Sequence, residues 1–299
     1  MANKIHKTIV DQLALLKSRG MIFNDESTAS GLLQNISYYR LKGYWWDMQS
    51  DRVNHQFFPN TIFEDVIDRY NFDRHLRLIL FDAIERIEIG LRTKMVYHLS
   101  EEFGPLWYMN RLIVNDAKLH QTHLADLQGE FARSQEIFAI NHRNNKVNED
   151  PDVWLILEVA SMGTLSKMYK NLHHQLPQKS KIANEMGLNL QNELSSWLEA
   201  ITYTRNIVAH HSRLWSRNMV RKPMKIVNPP FKWLKTLLTP VQEKKVFHII
   251  CAMIYLCNII TPGHQIKSKI LDLIENNKRI PIYKIGFLNN WQNEPLWQK

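Results

Sequence analysis

The stretch "FEDVIDRYNFDRHLRLILFDAIERIEIGLRTKMVYHL", Phe63 to Leu99, decides how the chain folds. Apolar residues recur in it every three to four positions, the spacing that keeps them on one side of an α-helix. Gly104–Pro105 ends the tract, so the pattern predicts helix from Phe63 to Phe103. That is longer than an ordinary globular helix, and a bend near Asp82 is expected.

The same periodicity extends in both directions. "IHKTIVDQLALLKSRG" places Ile5, Ile9, Leu13 and Leu16 on one face, with Gly20 positioned to close a helix. "DESTASGLLQNISYYRLKGYWWDM" predicts a short helix, a break at Asn35–Ser37, and a second aromatic-rich helix or turn. Downstream, a helix is expected from Leu119 to Ile140, then the polar loop "NHRNNKVNEDPD". Pro151–Asp152 start another helix, "VWLILEVASMGTLSKMYKNL". Further helices fit Lys179–Met186, Leu190–Val208, Val241–Ile260 and His264–Glu275, and "NPPFKWLKTLLTP" reads as a short proline-bracketed one. Alternating strand patterns are scarce and no internal repeat is found. The predicted fold class is all-α. The polar loop separates an N-terminal helical region, 1–143, from a second helical region, 144–299. The first is expected to pack on the bundle of the second as one integrated unit.

Composition narrows the function. The 299 residues are 44% hydrophobic and 22% charged, enough for a sizeable core, and carry a formal charge of +9. Such an excess bears on partners rather than on fold, and nucleic acid or an anionic membrane are the usual ones. The two cysteines, Cys251 and Cys257, lie in an apolar run with no metal-ligand companions, as buried thiols in a reducing compartment do. The N-terminus makes a poor signal peptide. "VFHIICAMIYLCNII", Val246–Ile260, is shorter than a membrane span and contains His248 and Asn258, so it reads as a core helix. A cytoplasmic protein with no membrane partner is expected. Neither GxxxxGK[ST] nor GxGxxG occurs, which argues against nucleotide hydrolysis.

The residues that carry chemistry are in "TRNIVAHHSRLW", Thr204–Trp215. In a regular helix Asn206 and His210 lie one turn apart, whereas Arg205 and His210 are separated by roughly 140° around the axis. Arg205 and His210 therefore meet on one substrate only across a helix end or bulge, or across two copies of the motif. The residue types suit cleavage of an RNA phosphodiester with no metal or other cofactor. Histidine serves as general base or acid because its ordinary pKa is near ~6.5. Arginine presents a planar fork of donors to phosphate oxygens, and asparagine orients either group. One motif supplies one or two histidines, while acid and base roles need two. Two chains related by a two-fold axis would supply both, so the chemistry points towards a dimer. The bland reading is that Arg-to-His spacings also occur at Arg69–His75 and Arg92–His98, and that basic residues at a helix C-terminus suit the macrodipole. Asn206, the small Ala209, the His210–His211 pair and "SRLWSR" set this copy apart.

Those residues resemble the signature of the HEPN superfamily of helical ribonucleases and RNA-binding modules. Four blocks, "ISYYRLKGYWW" (Ile36–Trp46), "YNFDRHLRLILFDAIERIEIGLRTKMVYHL" (Tyr70–Leu99), "WLILEVASMGTLSKMY" (Trp154–Tyr169) and "RNIVAHHSRLWSR" (Arg205–Arg217), together resemble the bacterial Abi-like abortive-infection family. The resemblance implies a HEPN-like helical bundle with additional helices at both ends. It also implies a phage-defence or toxin-like role, action on RNA, and a homodimer. Since some members are restrained by a small structured RNA, an inhibitory non-coding RNA is an expected partner. By motif position Arg205, Asn206 and His210 would be catalytic, with His211 auxiliary.

Other candidates are weighed against plainer readings. In "SYYRLKGYWW" aromatic faces could stack on unpaired bases, but most of these rings suit a core, leaving Arg40 and Lys42, with Tyr39, as RNA contacts. Arg213, Arg217, Arg221 and Lys222, followed by Lys225, make either a solvated basic face or a track for the RNA backbone. Glu85, Glu88 and Arg92 share a helix face, where an ion pair is a commoner outcome than a metal or acid–base site. His120–His123 and His173–His174 lack the spacing and partners of a zinc site. Two readings stay beside the ribonuclease: an RNA-binding protein that sequesters a structured RNA, and a protein–protein adaptor.

Overall fold

The computed structural model describes residues 6–298; Ile5, part of the first apolar stripe, lies outside them. Twelve α-helices occur among the described residues. They are α1 (Ile9–Ser18), α2 (Glu26–Ile36), α3 (Tyr38–Trp45), α4 (Phe63–Phe103), α5 (Ala117–Arg133), α6 (Ile137–Asn145), α7 (Val153–Ile156), α8 (Met162–Asn171), α9 (Pro177–Glu185), α10 (Gln191–Ala209), α11 (Val246–Ile260) and α12 (Ile266–Glu275). A small antiparallel hairpin, β1 (Gln49–Asp51) and β2 (Gln56–Phe57), links α3 to α4. The fold is all-α.

Helix α4 is the axis of the molecule. Its 41 residues span about 60 Å at 1.5 Å per residue. Leu80, Ala83, Ile84, Ile87, Leu91 and Met95 are fully buried along it because α8, α10, α11 and α12 pack on different sides. The helix is uninterrupted at Asp82, where length alone suggested a bend; that carboxylate takes Arg86 and Lys269, each at 2.8 Å. Helix α11 is buried from Val246 to Cys257, and both thiols lie inside it. No helix of the described residues is long and apolar enough to cross a membrane.

Several boundaries follow local chemistry that periodicity did not show. The expected Leu119–Ile140 helix is two, because the chain is extended at Ser134 and Glu136 and Arg143 caps the freed carbonyls of Phe131 and Ser134 at 2.7 Å. The tract after Pro151 is likewise broken: Ala160 is extended, its carbonyl takes Arg92, and Ser161 caps α8 while bonding Glu130. "NPPFKWLKTLLTP" is not helical. The backbone N–H groups of Lys235 and Thr236 go instead to the Glu294 carboxylate, and Trp233 packs on Trp197 and Tyr255. Two expected local features appear where predicted: Gly20, at φ 90°, closes α1, and Ser37, at φ 68°, turns the chain between α2 and α3. The helix expected from Val241 begins at Val246.

Candidate functional site

Helix α10 is anchored along most of its length. Leu194, Trp197, Leu198 and Ile201 are fully buried. The chain that leaves its C-terminus returns beside it: Met224 bonds Trp197 and Ser196, and the Val227 N–H reaches Glu193 at 2.7 Å. The motif therefore sits at the free end of a rigid rod.

That end is a Schellman turn. His210 is the cap residue at φ −87° and ψ 14°, and His211 adopts a left-handed φ of 54°. The Ser212 N–H reaches Ile207 O at 2.8 Å, and the His211 N–H reaches Val208 O at 2.9 Å. The helix thus stops between Arg205 and His210, one of the arrangements that the spacing required. Asn206, His210 and His211 are exposed, and Arg205 is partly buried. Among the described residues no hydrogen bond or ion pair engages the side chains of Arg205, Asn206 or His210. Arg205 does lie in the field of Glu88 on α4. Burial pushes that carboxyl above its ordinary range, while Arg92 and Arg205 pull it back. The expected ion pair on α4 is present, with Arg92 Nη2 2.9 Å from Glu88 Oε1.

Since a left-handed backbone disfavours a Cβ, His211→Gly is expected to raise the melting temperature by about 1–3 °C, corresponding to ~1 kcal/mol or less. His211→Val, β-branched at the same φ, should lower it. Scanning calorimetry of the pair decides whether this turn is the conformation in solution.

The segment after the turn is tied to α4 by one carboxylate. Asp73, fully buried, accepts the Trp215 N–H at 2.6 Å, the Leu214 N–H at 3.1 Å and the Tyr44 O–H at 2.7 Å, and pairs with Arg77. Leu214 and Trp215 are core residues, and Arg69 lies 5.3 Å from the Trp215 ring centroid. Sequence reading passed over Asp73. Its signal was available as the Asp73–Arg77 i,i+4 spacing within "DRHLR".

The expected RNA contacts fall into two groups. Arg213 and Arg217 are partly buried and hydrogen-bonded within the fold: Arg213 to Trp215 O, with its Nε against Gly43, and Arg217 to Arg213 O at 2.7 Å. Lys222 pairs with Glu243, and Arg221 and Lys225 are exposed. Arg40 reaches the motif turn, donating to His211 O, and its guanidinium lies 5.9 Å from the Tyr70 ring centroid. Tyr39 is exposed, whereas Tyr44 and Trp45 are core. Lys42 sits 5.6 Å from the ring centroid of the half-exposed Trp46. Among the paired histidines, His120 Nε2 lies 2.8 Å from Tyr108 O, and His173 and His174 stack at 4.5 Å.

Comparison with known families settles the relationship. A profile described as Abi-like protein matches residues 31–216, from α2 through α4 to the segment beyond the motif turn. The chain belongs to the Abi-like protein family. This membership points to abortive infection, a form of phage defence. Searches of curated proteins and of solved structures return no match. In this Abi-like protein the matched span holds α4, Asp73 and all of Arg205, Asn206, His210 and His211.

Proposed function

We propose that this Abi-like protein is a HEPN-type, metal-independent endoribonuclease of a phage-defence or RNA-regulated toxin–antitoxin system. The observation that carries the reading is the set Arg205, Asn206 and His210. Three polar side chains of phosphodiester chemistry stand without hydrogen-bond partners at the exposed end of an anchored helix. Asp73 and Arg213, by contrast, commit their polar atoms to hydrogen bonds within the fold, whereas the motif set is open to a ligand.

In the proposed reaction a ribose 2′-OH attacks the adjacent phosphorus and loses its proton to a histidine. The phosphorus–O5′ bond breaks, and a second histidine protonates the leaving O5′. The products are a 2′,3′-cyclic phosphate and a 5′-OH end. Arg205 stabilises the charge of the phosphorane, Asn206 orients the reacting groups, and His211 assists. A homodimer brings two His210 side chains to one strand, and regions 1–143 and 144–299 act as one unit. RNA is the substrate and a small non-coding RNA the proposed inhibitor, with Arg40, Lys42, Tyr39, Arg221 and Lys222 following the backbone, while Arg213 and Arg217 brace the turn beneath it. The unpaired buried thiols suit a cytoplasmic setting.

The test is incubation of the purified protein with single-stranded and structured RNAs in EDTA. Fragments ending in cyclic phosphate are expected, and cleavage that strictly requires magnesium would sink the mechanism. A second reading, RNA sequestration without cleavage, is favoured by one feature: Arg205 lies in the field of the Glu88 carboxyl, which offsets the charge it would bring to a transition state.

A further inference from the structure

Beside the motif turn, a groove of about 970 Å³ opens between the α2–α3 junction, the first half of α4 and the tail of α10. Arg40, Tyr70, Arg74, Leu78, Phe81 and His211 line it; Arg205, Asn206 and His210 do not. Resting on the RNA reading above, we propose that this groove seats an unpaired nucleotide of the strand next to the cleavage point. Arg40 and Arg74 hold its phosphate, and Leu78 and Phe81 carry its base.

Charge supplies the first part of the argument. No carboxylate lines the groove, and Arg77 at its floor is already neutralised by Asp73. Arg74 is exposed and has no hydrogen bond or ion pair among the described residues. Arg40 is preorganised rather than loose, held by His211 O and the Tyr70 ring, with much of its surface still open to solvent. Two arginines facing one concave space with no counter-charge describe a site for an anion with geometric demands.

The apolar floor identifies the rest of the ligand. Leu78 and Phe81 are 59% and 43% exposed on a helix whose other faces are covered, and Val208 of α10 borders them. An exposed aromatic ring and leucine next to two arginines match a nucleobase attached to its phosphate. Only an unstacked base can reach such a floor, since a duplex offers phosphates and groove edges but no base faces. The volume lies within the range of pockets that enclose small ligands. A second copy of the chain fits less well: burying Arg40 and Arg74 in a subunit contact would leave two guanidinium charges that no carboxylate of this groove can neutralise.

The experiment is fluorescence anisotropy with a labelled 2′-fluoro oligouridine, which lacks the 2′-OH and is not cut, and a duplex of equal length. Wild type, Phe81→Ala and Arg74→Ala are compared across salt concentrations, with melting and sedimentation measured alongside. Phe81→Ala should weaken single-strand binding about tenfold with the salt slope unchanged. Arg74→Ala should weaken it and lower the slope by about 0.7. Duplex binding should barely respond to Phe81→Ala. Arg74→Ala should melt as wild type does, and Phe81→Ala, whose ring is 43% exposed, should melt within a few degrees of it and be compared below its midpoint. If wild type binds the strand and both variants bind equally well, the groove is not its seat and the RNA reading survives. Equal losses for strand and duplex overturn base seating. If wild type binds neither probe, the RNA reading fails and this inference with it. A variant that turns a dimer into monomers while keeping RNA affinity makes the groove a subunit contact instead.

Discussion

Asp73→Ala is expected to lower the melting temperature by roughly 10 °C, the largest stability effect of any single site described above. The expectation follows from counting what the carboxylate holds. Its loss leaves Arg77, buried at 5% exposure, as an uncompensated charge, and it orphans the Leu214 and Trp215 N–H groups and the Tyr44 hydroxyl. Breaking a buried ion pair by removing one partner costs about 3–5 kcal/mol, and for a chain of this size each ~1 kcal/mol moves the midpoint by about 2–4 °C. Asp73→Asn keeps the shape and one acceptor and should lose about half as much. Tyr44→Phe removes one neutral-to-charged bond and should cost about 1.5–3 kcal/mol. A melting curve for Asp73→Ala within ~2 °C of wild type would show that the carboxylate is not the anchor. Since Asp73 fixes the chain just after the motif turn, the same variant should also lose any RNA cleavage, even below its melting temperature.

His210→Ala is expected to act in the opposite way: no stability change, and a loss of cleavage of about 10²–10⁴-fold, the range for removing a general acid or base. The side chain is exposed and makes no hydrogen bond among the described residues, so nothing in the fold depends on it. Arg205→Ala should reduce the rate by a comparable ~10²–10³-fold through loss of transition-state charge stabilisation. The informative control is binding. If His210→Ala binds RNA as wild type does yet leaves it intact, chemistry and recognition are separate. If wild type itself cuts nothing while both proteins bind equally, the sequestering reading replaces the enzyme. If His210→Ala instead sediments as monomer from a dimeric wild type, the motif shapes an interface.

The fold class and most helices were legible in the chain because helical burial leaves a periodic trace. Phe63–Phe103 was found with both ends correct, as was the break at Ser37, since a glycine–proline stop and a left-handed turn depend on nearby residues. The missed boundaries at Ser134–Glu136, Ala160 and 228–240 share a different cause. In each, backbone groups are satisfied by distant side chains, Arg143, Arg92 and Glu294, whose approach no local pattern encodes. The motif shows the same division. Its residue types and order pointed to phosphodiester chemistry without any structure, because the chemistry of arginine, asparagine and histidine travels with the side chain.

Tertiary packing decided which of these basic and aromatic residues remain free to meet a ligand. Arg213 and Arg217 are held within the fold, and Tyr44 and Trp45 lie in the core. Arg40 is carried from α3 to the motif turn, Arg74 and Phe81 are brought beside it by α4, and Asp73 becomes the tie between α4 and Trp215. The physical reason is separation along the chain: Asp73 and Trp215, or Arg40 and His211, are joined only when α3, α4 and the end of α10 come together, and side-chain exposure is a property of that packing rather than of the residue.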